Sequence, residues 1–272
     1  MHALLVATAL VLHSPARADV SADSTRLLFL EDCAPCHGPE GEGDGEFIYR
    51  LRTKPPDFTT GRYKFRSASP EALSLRDDVV GSITQGIPTT PMLPQAQLSE
   101  SEARALADYV LGLARRVPSA ESIAGVAVPA PPPPSDALRR RGQSVYSQMD
   151  CPRCHGDQGY GDGPSAYTQT DAQGRAIRPR DLTFRPRKTG DTAADLYRVF
   201  MGGLPGTPMP SFADALAESD RWALAQYVDS LGVRPYTRGW LESIGEEAVG
   251  LEIATRAAEA LEARGGIRPP PE

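Results

Sequence analysis

The sequence predicts a mainly α-helical protein of two tandem domains, and three observations carry that expectation. All four cysteines fall in two copies of one frame, "CAPCHGPEGEGDG" from Cys33 and "CPRCHGDQGYGDG" from Cys151, at an offset of 118 residues. Two further blocks repeat in the same order at nearly the same offset: "GIPTTPM" (Gly86–Met92) with "GLPGTPM" (Gly203–Met209), and "LSESEARALADYVLGL" (Leu98–Leu113) with "LAESDRWALAQYVDSL" (Leu216–Leu231). The apolar residues of the last block recur at helical spacing, and no alternating apolar run is long enough to demand a sheet. A chain of 272 residues has room for two compact domains of about 100 residues each, with connecting sequence to spare.

At the N-terminus, residues 1–18 hold an apolar run from Ala3 to Leu12 and then Ala16-Arg17-Ala18, the pattern of a signal peptide cleaved after Ala18 and of export to the periplasm. The run is about half the length needed to span a bilayer. In the first domain, 19–126, Leu27, Leu28 and Leu30 lead into Cys33 as a short amphipathic helix. Ser99 and Glu102 form a capping box for a closing helix that carries Leu106, Tyr109, Val110 and Leu113. The linker, 127–134, contains Pro129 and Pro131–Pro134 and predicts a semi-rigid polyproline spacer that holds the domains near each other without fusing them. In the second domain, 135–232, Ser135 is the expected N-cap of a helix with Leu138, Val145, Tyr146 and Met149, and the closing helix carries Trp222, Leu224, Tyr227, Val228 and Leu231. In the tail, 233–272, apolar residues from about Leu241 to Arg264 predict a helix packed on the domains.

The cysteine frame specifies chemistry. A haem presents its two vinyl groups on one edge, so two thiols separated by two residues in a tight turn can capture both. The histidine after the second thiol then lies under the ring, where it can take the fifth position on iron. Cys33, Cys36 and His37, and again Cys151, Cys154 and His155, match this C-x-x-C-H pattern of covalent haem c attachment. A thiol redox pair has no use for the trailing histidine, and zinc asks for four ligands per site. The sixth iron ligand follows by elimination. His2 and His13 lie in the segment expected to be removed, which leaves only the two proximal histidines. Of the five methionines, Met92 and Met209 are the pair matched between repeats, each in a proline-rich turn, whereas Met1, Met149 and Met201 have no such place. Met ligation raises the potential, and filling both axial positions leaves no open site on iron. The glycine loop predicts a turn that needs positive φ at Gly41, Gly43 or Gly45.

On these motifs the chain resembles the diheme class I cytochromes c of the bacterial periplasm, over roughly Ala22–Leu113 and Asp136–Leu231. The resemblance implies a fold in which the first and last helices of each domain cross beside the haem. The loops "KPPDFTTGRYKFR" and "RPRDLTFRPRK" fall outside the minimal pattern.

The formal net charge of −6 disfavours nucleic acid as a partner. Residues 19–126 hold 11 basic and 16 acidic side chains against 12 and 12 in 135–232, so the first haem is expected to favour its ferric form more than the second. Arg175, Arg178, Arg180, Arg185, Arg187 and Lys188 crowd into one segment, read as a solvated loop with contact to haem propionates or an acidic redox partner as the alternative. The expected function is transfer of single electrons between redox proteins, from a periplasmic dehydrogenase to an oxidase or another cytochrome. The protein would serve as a soluble carrier or as the cytochrome subunit of an oxidoreductase or respiratory complex, with no catalytic residues of its own. The rival is a haem enzyme, such as a diheme peroxidase or a thiosulfate-oxidising cytochrome, which needs one open iron.

Overall fold

The structure, a computed structural model, describes residues 20–51, 53–65, 67, 74–115 and 125–235. The expected signal peptide and the expected helix from Leu241 to Arg264 lie outside the described residues. Almost all regular structure is helical and falls into two units, each with its own buried core.

The first unit opens with α1 (Ala22–Leu28), which runs through one π-helical turn (Phe29–Cys33) into the short α2 (Ala34–His37). The π turn inserts an extra residue into the helical ladder and rotates the helical turn downstream of it. One residue nearer to Cys33 than Tyr146 is to Cys151, Phe29, at 0% exposure, takes the place that Tyr146 has in the second unit, while Leu27, expected on the apolar face, is 56% exposed. Then come α3 (Arg76–Gln85) and α4 (Glu100–Gly112). Ser99 and Glu102 form the expected capping box, and Ala103, Leu106, Ala107 and Val110 bury one stripe of α4 against Phe29, Phe58, Val79 and Ile83.

The second unit repeats the plan with α5 (Asp136–Gln148), α6 (Pro152–His155), α7 (Ala193–Gly202) and α8 (Glu218–Leu231). The Ser135 hydroxyl caps α5 by accepting from Leu138 N–H. Helix α7, which no motif announced, opens on a Thr192–Asp195 capping box and buries Leu196, Tyr197, Phe200 and Met201. Met201 is therefore a core filler. Among the described residues, regular strand is confined to β1 (Phe184–Arg185), paired in parallel with β2 (Arg234–Pro235).

The proline linker contacts the second unit: Gln226 of α8 donates to Pro132 O (3.1 Å) and accepts from Ser135 N–H (3.3 Å). Val126 and Val128 pack on the second core. The arginine-rich segment is not the expected solvated loop. Arg187, 2% exposed, donates to Val228 O, and Arg185 donates to Gly232 O and Asp229 O. Both pair with Asp229, so the two guanidiniums satisfy the open carbonyls at the C-terminus of α8, where a helix end favours cations.

Gly112, exposed near the end of α4, has nothing within 4 Å of where a Cβ would stand. Gly112→Ala is therefore expected to stabilise the first domain by about 0.5–1 kcal/mol through lost unfolded-state freedom. A guanidinium unfolding curve checks it; a lower midpoint would contradict the described helix.

Candidate haem-binding sites

The two C-x-x-C-H segments fold alike. Each begins with a cysteine at the end of the preceding helix and forms one helical turn with a proline near its start, Pro35 or Pro152. Each ends at Gly38 or Gly156 with φ of +80° and +76°, a conformation that suits glycine. The peptide N–H groups of Gly43 and Gly161 donate to the carbonyls of His37 (2.9 Å) and His155 (2.8 Å). The expected positive φ falls at Gly41 and Gly43, both +74°, and at Gly45 close approach requires glycine: a Cβ there would lie 2.4 Å from Pro35 O, and at Gly163 2.3 Å from Pro152 O. The glycine loop thus lies flat against the thiol turn.

That flatness admits a second loop. Phe58 N–H donates to Gly41 O and Leu182 N–H to Gly159 O, both at 2.7 Å. Asp57 accepts from Thr59 N–H and Oγ1 at 2.9 and 2.6 Å, and Asp181 accepts from Thr183 N–H and Oγ1 at the same distances. "PPDFT" (55–59) and "PRDLT" (179–183) are therefore a fourth repeated block, although both loops fell outside the pattern read from the sequence. The equivalence places Pro56 where the second unit has Arg180.

This block faces the histidines. His155 Nδ1 lies 3.0 Å from Arg180 O, which fixes the ring and leaves Nε2 for iron. His37 stacks on Phe58, with ring centroids 4.6 Å apart, and its buried Nδ1 has no partner. Burial holds both imidazoles in the neutral form that binds a metal, with His37 brought down to about 4. The four cysteines are free thiols. Burial pushes Cys33 up to about 12 and Cys151 up to about 11, far from the thiolate range of a redox pair.

The methionine loops match as closely. After α3 and α7, Gly86 and Gly203 take φ of +61° and +62°. Ile87 N–H and Leu204 N–H then donate to Met92 O (2.8 Å) and Met209 O (3.0 Å). Thr90 Oγ1 accepts from Met92 N–H at 3.1 Å and donates to Ile87 O, and Thr207 Oγ1 does the same for Met209 at 3.2 Å and Leu204 O. Each methionine is held at both backbone polar groups, which leaves only its side chain to move. In both units a buried neutral imidazole, two free thiols separated by two residues and a methionine anchored through its backbone form a donor set that fits haem c.

The family described as Cytochrome c matches the chain twice, over residues 23–114 and 140–232. Cytochrome c55X of Paracoccus denitrificans (strain Pd 1222) is 32% identical over 106 residues, 39% of this chain and 84% of that relative. Among solved structures, a chain of the Kuenenia stuttgartiensis reducing HAO-like protein complex is similar with a TM-score of 0.72 and 37% identity, covering 76% of this chain and 95% of that one.

Proposed function

The chain belongs to the cytochrome c family, its two tandem domains imply two covalently bound haem c groups, and from that premise we propose a diheme relay of single electrons between redox proteins. Cys33 and Cys36 attach the first haem and Cys151 and Cys154 the second. His37 and Met92 ligate one iron, His155 and Met209 the other. When bound, each haem supplies a one-electron Fe(III)/Fe(II) couple. The protein's part is to hold that iron six-coordinate in both oxidation states, so that little reorganises as the electron moves.

The carrying observation is the double anchoring of Met92 and Met209, equal in the two domains. A haem enzyme keeps one iron open or loosely capped, and neither domain has loosened its loop. The likeness to a chain of a reducing HAO-like complex supports a place as the cytochrome subunit of an oxidoreductase assembly. Export to the periplasm, read from residues 1–18, agrees with covalent haem attachment, and no described helix is long and apolar enough to cross a membrane.

The test uses the purified holoprotein. Acid-acetone should extract neither haem, the reduced protein should leave carbon monoxide unbound, and a redox titration should resolve two one-electron steps. Carbon monoxide binding by the wild type, or rapid turnover of hydrogen peroxide, would replace the relay with the enzyme.

A further inference from the structure

Three cations gather where the domains meet. Lys188 Nζ, on the second domain, donates across the boundary to Thr53 Oγ1 at 3.1 Å, its one hydrogen-bond partner among the described residues. Arg180 reaches the same boundary and donates to Thr89 Oγ1 (3.4 Å) as well as to Pro186 O in its own loop (2.7 Å). Lys64 of the first domain is close enough for its charge to act on Lys188. Burial, then Arg180 and Lys64, push the Lys188 ammonium down to about 7, so in the bare chain Lys188 is held against both desolvation and like-charge repulsion, whereas Lys64 also feels the attraction of Asp171. Such a group persists in a fold where something anionic offsets it.

The contacts locate that anion. Thr53 precedes the block whose Phe58 stacks on His37, and Thr89 belongs to the loop that presents Met92. One cluster therefore touches the first domain both on the side of its histidine and on the side of its methionine, which places it at an edge of whatever lies between the two. Thr89 adds an independent observation. It holds φ of +61°, a strained conformation for a β-branched residue, where its counterpart Gly206 takes +73° without cost. The strain keeps a hydroxyl at the point that Arg180 reaches. Arg180 itself replaces Pro56; its carbonyl fixes His155, and its guanidinium bridges its own loop and the neighbouring domain.

We propose that Lys188, Arg180 and Lys64 form an inter-domain carboxylate site that takes the propionates of the first domain's haem, so that cations from the second domain set the potential of the first. The inference rests on His37 and Met92 ligating that haem, as proposed above. Propionates are the anions a haem c carries, on ring carbons other than those bound to the cysteines. Ferric haem carries one more positive charge than ferrous haem, so nearby cations favour the ferrous form. They oppose the lower potential that the acidic balance of residues 19–126 predicts for the first haem, and from closer range.

Lys188→Met decides the matter because it keeps the length of the side chain and removes the charge. Haem count and Met-ligation spectrum are read first, in a Met209→Ala background where the remaining Met-ligated haem is the first one; two attached haems with that spectrum intact mean the ligation reading stands. At a fixed applied potential the ferrous-to-ferric ratio of the first haem should then fall about tenfold, which is about 59 mV for one electron. The variant should also melt below its parent, because propionates are left buried without their cation. Unchanged potentials with a raised melting temperature would mean that Lys188 is an uncompensated buried charge and would overturn the proposal. So would a saturable shift of the wild-type potential on adding inorganic phosphate, which assigns the cluster to a mobile anion. Lys64→Met, at a less enclosed position, should move the first haem in the same direction by less. Were Lys188→Met to leave the haem unattached, an unmoved potential in Lys64→Met would refute the site by itself.

Discussion

Met209→Ala opens the second iron, and Met92→Ala the first, with the largest redox effect of any single substitution in either domain. In each variant the reduced protein gains carbon monoxide binding at one haem, and the oxidised protein loses half of its far-red Met-to-iron band. The altered haem drops in potential because the soft thioether that favours ferrous iron is gone. Axial ligands move haem potentials over a range of about 0.8 V, so the drop far exceeds anything the surface charge of −6 can produce. The loop that carries each methionine is closed by its own hydrogen bonds rather than by the thioether, so the substitution removes the ligand and leaves the loop. Thr207→Val supplies a graded control: it frees Met209 N–H while leaving the sulfur, and partial carbon monoxide binding should follow. If Met209→Ala binds no carbon monoxide, the sixth ligand has been misassigned.

What the sequence revealed, and what it hid, divides by how local the causes are. The cysteine frame, the glycine loop and the Pro-Met turn are short segments whose chemistry demands particular residues at fixed spacing, so they survive duplication visibly. The capping boxes are equally local, and Ser99, Glu102 and Ser135 act as their spacing predicts. "PPDFT" and "PRDLT" were hidden because the second unit has six more residues between its glycine loop and this block, so a search at one offset passes over the match. Its signal was there all the same, in a proline followed two residues later by Asp-x-Thr. The π turn at Phe29–Cys33 had no readable signature, and helical periodicity carried past it assigned the apolar face to Leu27.

The arginine-rich segment was illegible for a different reason. Composition reports charge but not the carbonyls that receive it. Arg185 and Arg187 turn out to serve the end of α8, Arg175 pairs with the buried Asp171, and Arg178 lies 4.2 Å from the centre of the Tyr167 ring. Removing those four from the supposed basic patch leaves Arg180 and Lys188, which face the other domain. A run read as a solvated loop is thus mostly internal wiring, and the remainder of it reaches Thr53 and Thr89 of the first domain.

Gly142→Ala should cost the second domain more stability than any other single methyl added to a helix. Helix α5 crosses α8 at this residue, and a Cβ on it would stand 2.0 Å from Ala223 O and 2.6 Å from both Ala223 C and Tyr227 Cβ. Two of these atoms are backbone, so no rotamer change relieves the clash and the helices must separate. Separation strips contact from Val145 and Tyr146, both almost fully buried, and from the Tyr146–Tyr227 pair, whose ring centroids lie 5.4 Å apart. It also pulls on Gly156, whose carbonyl accepts from the Tyr146 hydroxyl at 2.7 Å, and Gly156 adjoins His155. Overpacking of this kind costs typically about 1–3 kcal/mol, and a backbone overlap this deep belongs at the upper end. The first domain is the internal control: Phe29 has the place of Tyr146, so Thr25, one helical turn before it and 4% exposed on α1, stands in the place of Gly142, and there the helix packs with a side chain in position. The expected result is an unfolding curve in which the second domain's Met-ligation band is lost at markedly lower denaturant while the first domain's is kept. An unchanged midpoint for both bands would mean that α5 and α8 do not cross at Gly142.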